Sequence, residues 1–166
     1  MTGPSLSAAQ YAELSASWQD DSPVPAAAAS RLTLELASLR ELSRVRRQVR
    51  AFLTASAGSS ETMSAPAVAV AVEDLIEKAI LVIDELASNA LRHGTPPSSL
   101  LVCDEPERWI IIVTDSAPGL VPLPAVDRPA GQGGYGLYVI ADLTAAHGVH
   151  YLVDRKLVWV CIEKLG

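Results

Sequence analysis

Cysteine is almost missing from this 166-residue sequence: Cys103 and Cys161 each sit inside an apolar, strand-like run, with no CxxC or Cys/His spacing nearby. A disulfide scaffold and a cysteine-built metal centre are therefore excluded, which leaves two buried, reduced thiols. Aromatic residues are also sparse, at 5%. No segment approaches the roughly 18 consecutive apolar residues that a membrane-spanning helix needs. The opening Met1-Thr2-Gly3-Pro4-Ser5 has neither the basic nor the apolar region of a secretion signal, so a soluble, cytoplasmic protein is expected, with no membrane partner. Positive charge is short as well. Thirteen Lys+Arg face nineteen Asp+Glu for a net charge of -6, which disfavours non-specific binding to a phosphate backbone. Only three of those cations are lysines, and together with abundant alanine this points to a GC-rich bacterial genome.

Apolar residues, by contrast, make up 49% of the chain and charged residues only 19%, enough to build one core of domain size. Residues 1–30 mix Ser, Ala, Pro and paired acids around one short helical stretch from Ala8 to Trp18, and read as a tail or loosely docked arm. Residues 31–166 read as a single domain. Arg31 to Leu36 alternates with the period of a half-buried strand. Leu39, Leu42, Val45, Val49, Phe52 and Leu53 then follow the period of a helix. A Gly-Ser break precedes a long helical stretch that ends at His93-Gly94. Two apolar runs, Ser99 to Asp104 and Trp109 to Asp115, are joined closely enough to form an antiparallel hairpin. Ser116 to Gly134 is too rich in Pro and Gly for an element interior and is expected to be a long loop. After it a helix is expected from Leu137 to His147, a strand from His150 to Val153, a turn at Asp154-Arg155 and a last strand from Leu157 to Ile162.

Three local features carry candidate chemistry. Glu85 and Asn89 are four residues apart on the long helix and share a face, with Arg92 and His93 one turn further on; a solvated face of an amphipathic helix has the same pattern. Asp115 closes a strand before Ser116-Ala117-Pro118-Gly119, which suits a turn, or a carboxylate at a pocket mouth with Gly119 admitting a ligand close to the backbone. Gly131-Gln132-Gly133-Gly134-Tyr135-Gly136-Leu137 is glycine-rich and opens a helix, where free N–H groups favour a phosphate; a flexible helix-capping linker looks alike. The G-x-G-x-x-G spelling is not a dinucleotide fingerprint, because proline-rich sequence rather than a strand precedes it.

In that order the three features resemble the N, G1 and G2 boxes of the GHKL (Bergerat-fold) ATPases over residues 31–164. Glu85 to Gly94, Asp115 to Gly119 and Gly131 to Leu137 supply the match. The compact chain, its Glu-Leu-x-x-Asn-Ala-x-x-His-Gly wording and its final Val-Trp strand are most similar to the stand-alone bacterial anti-sigma-factor serine/threonine kinases.

The resemblance implies an α/β (α+β) two-layer sandwich: a mixed, largely antiparallel sheet with helices packed on one face. It also implies ATP and Mg²⁺ as bound groups. Glu85 would be the general base and Asn89 the Mg²⁺ ligand. Asp115 would bind the adenine amino group with Gly119 beside it, and Gly131, Gly133, Gly134 and Gly136 would wrap the phosphates at Leu137. Arg92 and His93 would be within reach of phosphate. Expected partners are a sigma factor and a STAS-domain anti-sigma antagonist, with a homodimer as a further contact. A non-catalytic, ATP-dependent regulatory binding module is the alternative function. A histidine-kinase catalytic module is disfavoured because the helix from Ser38 to Ser56 contains no histidine. Two positions depart from the family pattern: Ala117 stands where glycine is frequent, and Leu157 where the last strand often carries threonine. The arginines at 40, 44, 46, 47 and 50 fit a protein or dimer contact better than DNA, given the acids among them and the lack of interleaved aromatics.

Overall fold

A computed structural model describes residues 7–27, 30–57, 65–122 and 135–166. After helix α1 (Ala8–Gln19) come strand β1 (Ser30–Leu36), a short 3-10 turn at Leu39–Glu41, helices α2 (Leu42–Ala57) and α3 (Pro66–His93), and strands β2 (Ser98–Asp104) and β3 (Arg108–Asp115). Helix α4 (Tyr135–Leu143) and strands β4 (Ala146–Tyr151) and β5 (Lys156–Glu163) complete the order. The five strands form one sheet in the order β1-β2-β3-β5-β4, and every strand pairing is antiparallel. The one parallel contact among the described residues is an isolated bridge between Asp21 and Val149. The two-layer α/β arrangement implied by the sequence is thus present. No helix among the described residues is long and apolar enough to cross a membrane.

Helix periodicity decides which side of the sheet is covered. Leu42, Val45, Val49 and Leu53 make a single buried stripe on α2, and Ile76, Ala79, Ile80, Ile83, Leu86, Ala87 and Ala90 make one on α3. Both stripes pack on Leu100, Val102, Trp109, Ile111, Val113, Val158, Val160 and Ile162, the alternate residues of β2, β3 and β5. Pro66 opens α3 at a position where its missing N–H has no helical partner to lose. Two arginines of α2 are spent between these two helices. Arg46 pairs with Asp84 through two bonds of 2.9 and 2.7 Å, and Arg50 pairs with both Glu73 and Glu77. Arg44 pairs with Glu41, so the basic face expected from the sequence is mostly neutralised in place.

The N-terminal segment is docked through a buried tryptophan. Ser7 and Gln10 form a reciprocal capping box at the start of α1. At its other end Trp18 is fully buried, with its ring stacked on His147 at 4.3 Å between centroids. The chain then rounds the β4 edge. The N–H of Ser22 donates to the Val149 carbonyl at 2.8 Å, the Asp21 carboxylate accepts from the Tyr151 N–H at 2.8 Å, and Trp159 Nε1 donates to the Ser22 carbonyl at 2.9 Å. Gly148 makes this passage possible, because a Cβ there would lie 2.7 Å from the Trp159 ring and 2.9 Å from Ser22. Val24 and Ala27 then lie on the second sheet face, over Cys103, Ile110, Ile112, Trp159 and Cys161. Both cysteines are buried free thiols.

One boundary between elements differs from its sequence expectation. The helix expected to run to His147 stops at Leu143, where the Thr144 hydroxyl donates to the Ile140 carbonyl at 2.7 Å. Residues Ala146–Tyr151 are instead strand β4, and Val153, expected in a strand, lies fully exposed in the turn that follows. Pairing of β4 with β5, together with the Trp18 stack on His147, outweighs the local helical period.

Replacing Trp18 should test how much the arm contributes. Trp18→Ala is expected to lower unfolding stability by about 3 kcal/mol or more in urea melts. Trp18→Phe should cost much less, because Trp18 Nε1 is buried without a hydrogen-bond partner. An unchanged midpoint in the alanine variant would mean that the arm is not part of the core.

Candidate functional site

The C-terminal half of α3, the end of β3, the start of β5, residues 119–122 and the start of α4 surround a cleft of ≈ 730 Å³, a size that suits a nucleotide-sized ligand. Of the residues expected at the site, Asn89, Arg92, His93, Asp115, Gly119 and Leu137 line it. Glu85 does not. Glu85 is half-buried one turn before Asn89, against Gly136 in the first turn of α4. Gly131, Gly133 and Gly134 lie outside the described residues.

Each wall of the cleft follows from its element. Asn89 and Arg92 project from the side of α3 that the apolar stripe leaves free, and Arg92 and His93 occupy the last turn, where the negative end of the helix dipole favours cations. The helix stops at Gly94 for a steric reason. Its φ of -87° needs no left-handed backbone, but a Cβ would lie 2.5 Å from the Ala90 carbonyl oxygen and 2.7 Å from Asp115 Cγ. Gly94 thus clears the space for the Asp115 carboxylate. The loops after α3 and β3 are tied by the Ser116 N–H donating to the Thr95 carbonyl at 2.8 Å and the Ser116 hydroxyl donating to the Pro97 carbonyl at 3.1 Å. At Gly119 a Cβ would meet nothing within 4 Å, so the glycine borders open space.

Asp115 does not stand alone. It is only 2% exposed and faces Lys156, its register partner on β5, which is 4% exposed. The Lys156 ammonium donates to Asp115 Oδ1 at 2.9 Å and to the Ala117 carbonyl at 2.9 Å, while the Ala117 N–H donates to the same Oδ1 at 2.9 Å. Alanine in place of glycine at 117 therefore leaves both backbone groups fully used. Sequence reasoning missed Lys156. It took Leu157 as the site-facing position of the last strand, but Leu157 points to the opposite sheet face and packs with Cys103 and Trp159. The available signal was an isolated lysine opening an apolar strand opposite an aspartate that closes another.

Glu85 has its own clearance. A Cβ at Gly136 would land on the Glu85 carboxylate, so this glycine makes room for the acid. Burial is the main cause that pushes the Glu85 pKa above the usual carboxylate value; the neighbouring Asp84 adds to the rise and Arg92 opposes it.

A profile of the histidine kinase-like ATPase domain family matches residues 36–162, and the chain belongs to that family. Among solved structures, it is similar in fold to part of the chain that holds the RsbU and RsbW domains of Rv1364c from Mycobacterium tuberculosis, at 16% identity and a TM-score of 0.52 over 82% of this chain. The match spans about a third of that longer chain, 34%. The histidine kinase AdeS of Acinetobacter baumannii is also similar, at 12% identity and a TM-score of 0.42, over 84% of this chain and 70% of its own. No curated protein matches the sequence. Membership defines a GHKL-type ATPase fold and implies ATP binding.

The raised Glu85 pKa has a stability consequence. A carboxyl whose folded-state pKa is raised contributes favourably below its unfolded value, and that contribution is lost as pH rises through the folded value. Glu85→Gln should therefore raise the melting temperature near neutral pH by about 2 °C and leave it nearly unchanged at about pH 4. A lower melting temperature near neutral pH would show that the charged form is stabilised here.

Proposed function

We propose that this chain is an ATP-dependent serine/threonine kinase of the anti-sigma-factor type, which binds a sigma factor and phosphorylates a STAS-domain antagonist in the cytoplasm. The observation that carries this reading is the convergence of Asn89, Asp115, Gly119 and Leu137, drawn from three separated sequence boxes, on one cleft. The fold shared with a chain that includes an RsbW domain supports the same class.

The residues present fit a magnesium-bound nucleotide. A buried carboxylate with open space at Gly119 suits an adenine ring and its amino group. Mg²⁺ requires few protein ligands when phosphates share its coordination, and the Asn89 amide oxygen is a suitable hard donor. Bound Mg-ATP would supply the phosphoryl group and neutralise its developing charge. Glu85, with its raised pKa, is a stronger proton acceptor than an exposed glutamate and would take the proton from the attacking seryl or threonyl hydroxyl. Arg92 and His93 would contact phosphate from the cleft rim, and Gly136 would let the helix α4 approach both the base and the nucleotide.

Calorimetric ATP titration with and without Mg²⁺, paired with a phosphotransfer assay on a STAS-domain protein, tests this. Glu85→Ala should lower transfer by about 10²-fold or more while retaining nucleotide. Asn89→Ala should lose magnesium-dependent binding, and Asp115→Asn should weaken binding of the nucleotide itself. Transfer that persists in Glu85→Ala would remove Glu85 as the base. Nucleotide-dependent partner binding without any transfer by the unmodified chain would favour the non-catalytic module.

A further inference from the structure

We propose that Lys156 reads the nucleobase together with Asp115, donating to a ring nitrogen of the purine while Asp115 accepts from the amine beside it. The inference rests on the nucleotide reading above and assigns a specificity-determining residue to the same cleft.

Lysine carries three N–H donors and no acceptor, and an ionised carboxylate is acceptor-only. Two of the Lys156 donors go to Asp115 Oδ1 and the Ala117 carbonyl. Among the described residues the third has no partner, and neither does Asp115 Oδ2. Both side chains line the cleft. The pair therefore presents one donor and one acceptor side by side on the wall that would receive a base. In adenine the exocyclic amine on C6 donates, while N1, next to that carbon in the ring, and N7, one carbon beyond it on the other side, accept, so the two patterns are complementary.

Burial makes the choice of lysine informative. Burying an ammonium carries a desolvation cost that an apolar side chain of similar volume would avoid, and Asp115 Oδ1 already receives the Ala117 N–H. A purely structural filler has no need of the third donor. A base-reading group does, because a site that hydrogen-bonds a ligand atom discriminates strongly against an analogue that lacks it.

The test is calorimetric titration of the full chain with ATP, 1-deaza-ATP and 7-deaza-ATP, each analogue replacing one ring nitrogen beside the amine-bearing region by C–H. The unmodified chain, Lys156→Met and Lys156→Gln are compared, with thermal melts confirming that each variant folds. The unmodified chain should bind one of the two analogues about tenfold or more weaker than ATP, and Lys156→Met should reduce that difference to less than about twofold. Lys156→Gln, which keeps an N–H donor, should retain part of it. Equal binding of all three nucleotides by the unmodified chain overturns the proposal without any variant. A uniform loss of affinity in Lys156→Met with the discrimination intact also overturns it, and makes Lys156 only the ion-pair partner of Asp115. If the unmodified chain binds no ATP, the nucleotide reading falls first and this assignment falls with it.

Discussion

The pairing of β3 with β5 is the constraint on which the site depends. It sets Asp115, the last residue of one strand, opposite Lys156, the first of the other, and so closes the sheet at the cleft with a buried ion pair. The same ammonium holds the carbonyl of Ala117, and the carboxylate holds its N–H. One cross-strand pair thereby fixes both the side chain at the base of the cleft and the first turn of the loop above it. Removing either partner alone would leave a charge buried without compensation, a situation far more costly than losing an exposed salt bridge.

Helix α3 connects this constraint to the rest of the molecule. Its apolar stripe is core, and its opposite side supplies Glu85, Asn89 and Arg92, so burial of one face sets the angular position of the other. Two glycines then permit close approach. Gly94 admits the Asp115 carboxylate to the end of α3, and Gly136 admits Glu85 to the start of α4. In both cases the missing Cβ matters through space rather than through an unusual backbone angle.

Much of this was legible in the sequence because helical and strand periods survive where one face is buried. The hairpin of β2 and β3 and the stripes of α2 and α3 follow from such local patterns, whereas the box residues were picked out by the family resemblance, since each box alone also fits a solvated helix face, a turn or a linker. Non-local partners were not legible. The first residues of β4, Ala146 and His147, follow the helical period of α4, and what makes them strand is pairing with β5 and the stack on Trp18, which lies far away in sequence. Lys156 was missed for a similar reason: a one-residue shift in the assumed strand phase moves attention to Leu157, on the other face of the sheet. The arginines of α2 looked like a patch because their acids, Glu73, Glu77 and Asp84, come from the next helix.

The route of the N-terminal segment around β4 also has a temporal side. Strand β5 lies inside the sheet, between β3 and β4, yet it follows the other four described strands in sequence. As the polypeptide emerges during synthesis, β4 has no strand neighbour until β5 follows, and Trp18 waits for His147, made 129 residues later, before it can stack. Contacts of such long sequence separation form late, because a large loop must close before they return any stabilisation. Until β5 joins, the core faces of α2, α3, β2 and β3 lack Val158, Val160 and Ile162, and the cleft lacks Lys156, so core and cleft are completed together when that strand pairs.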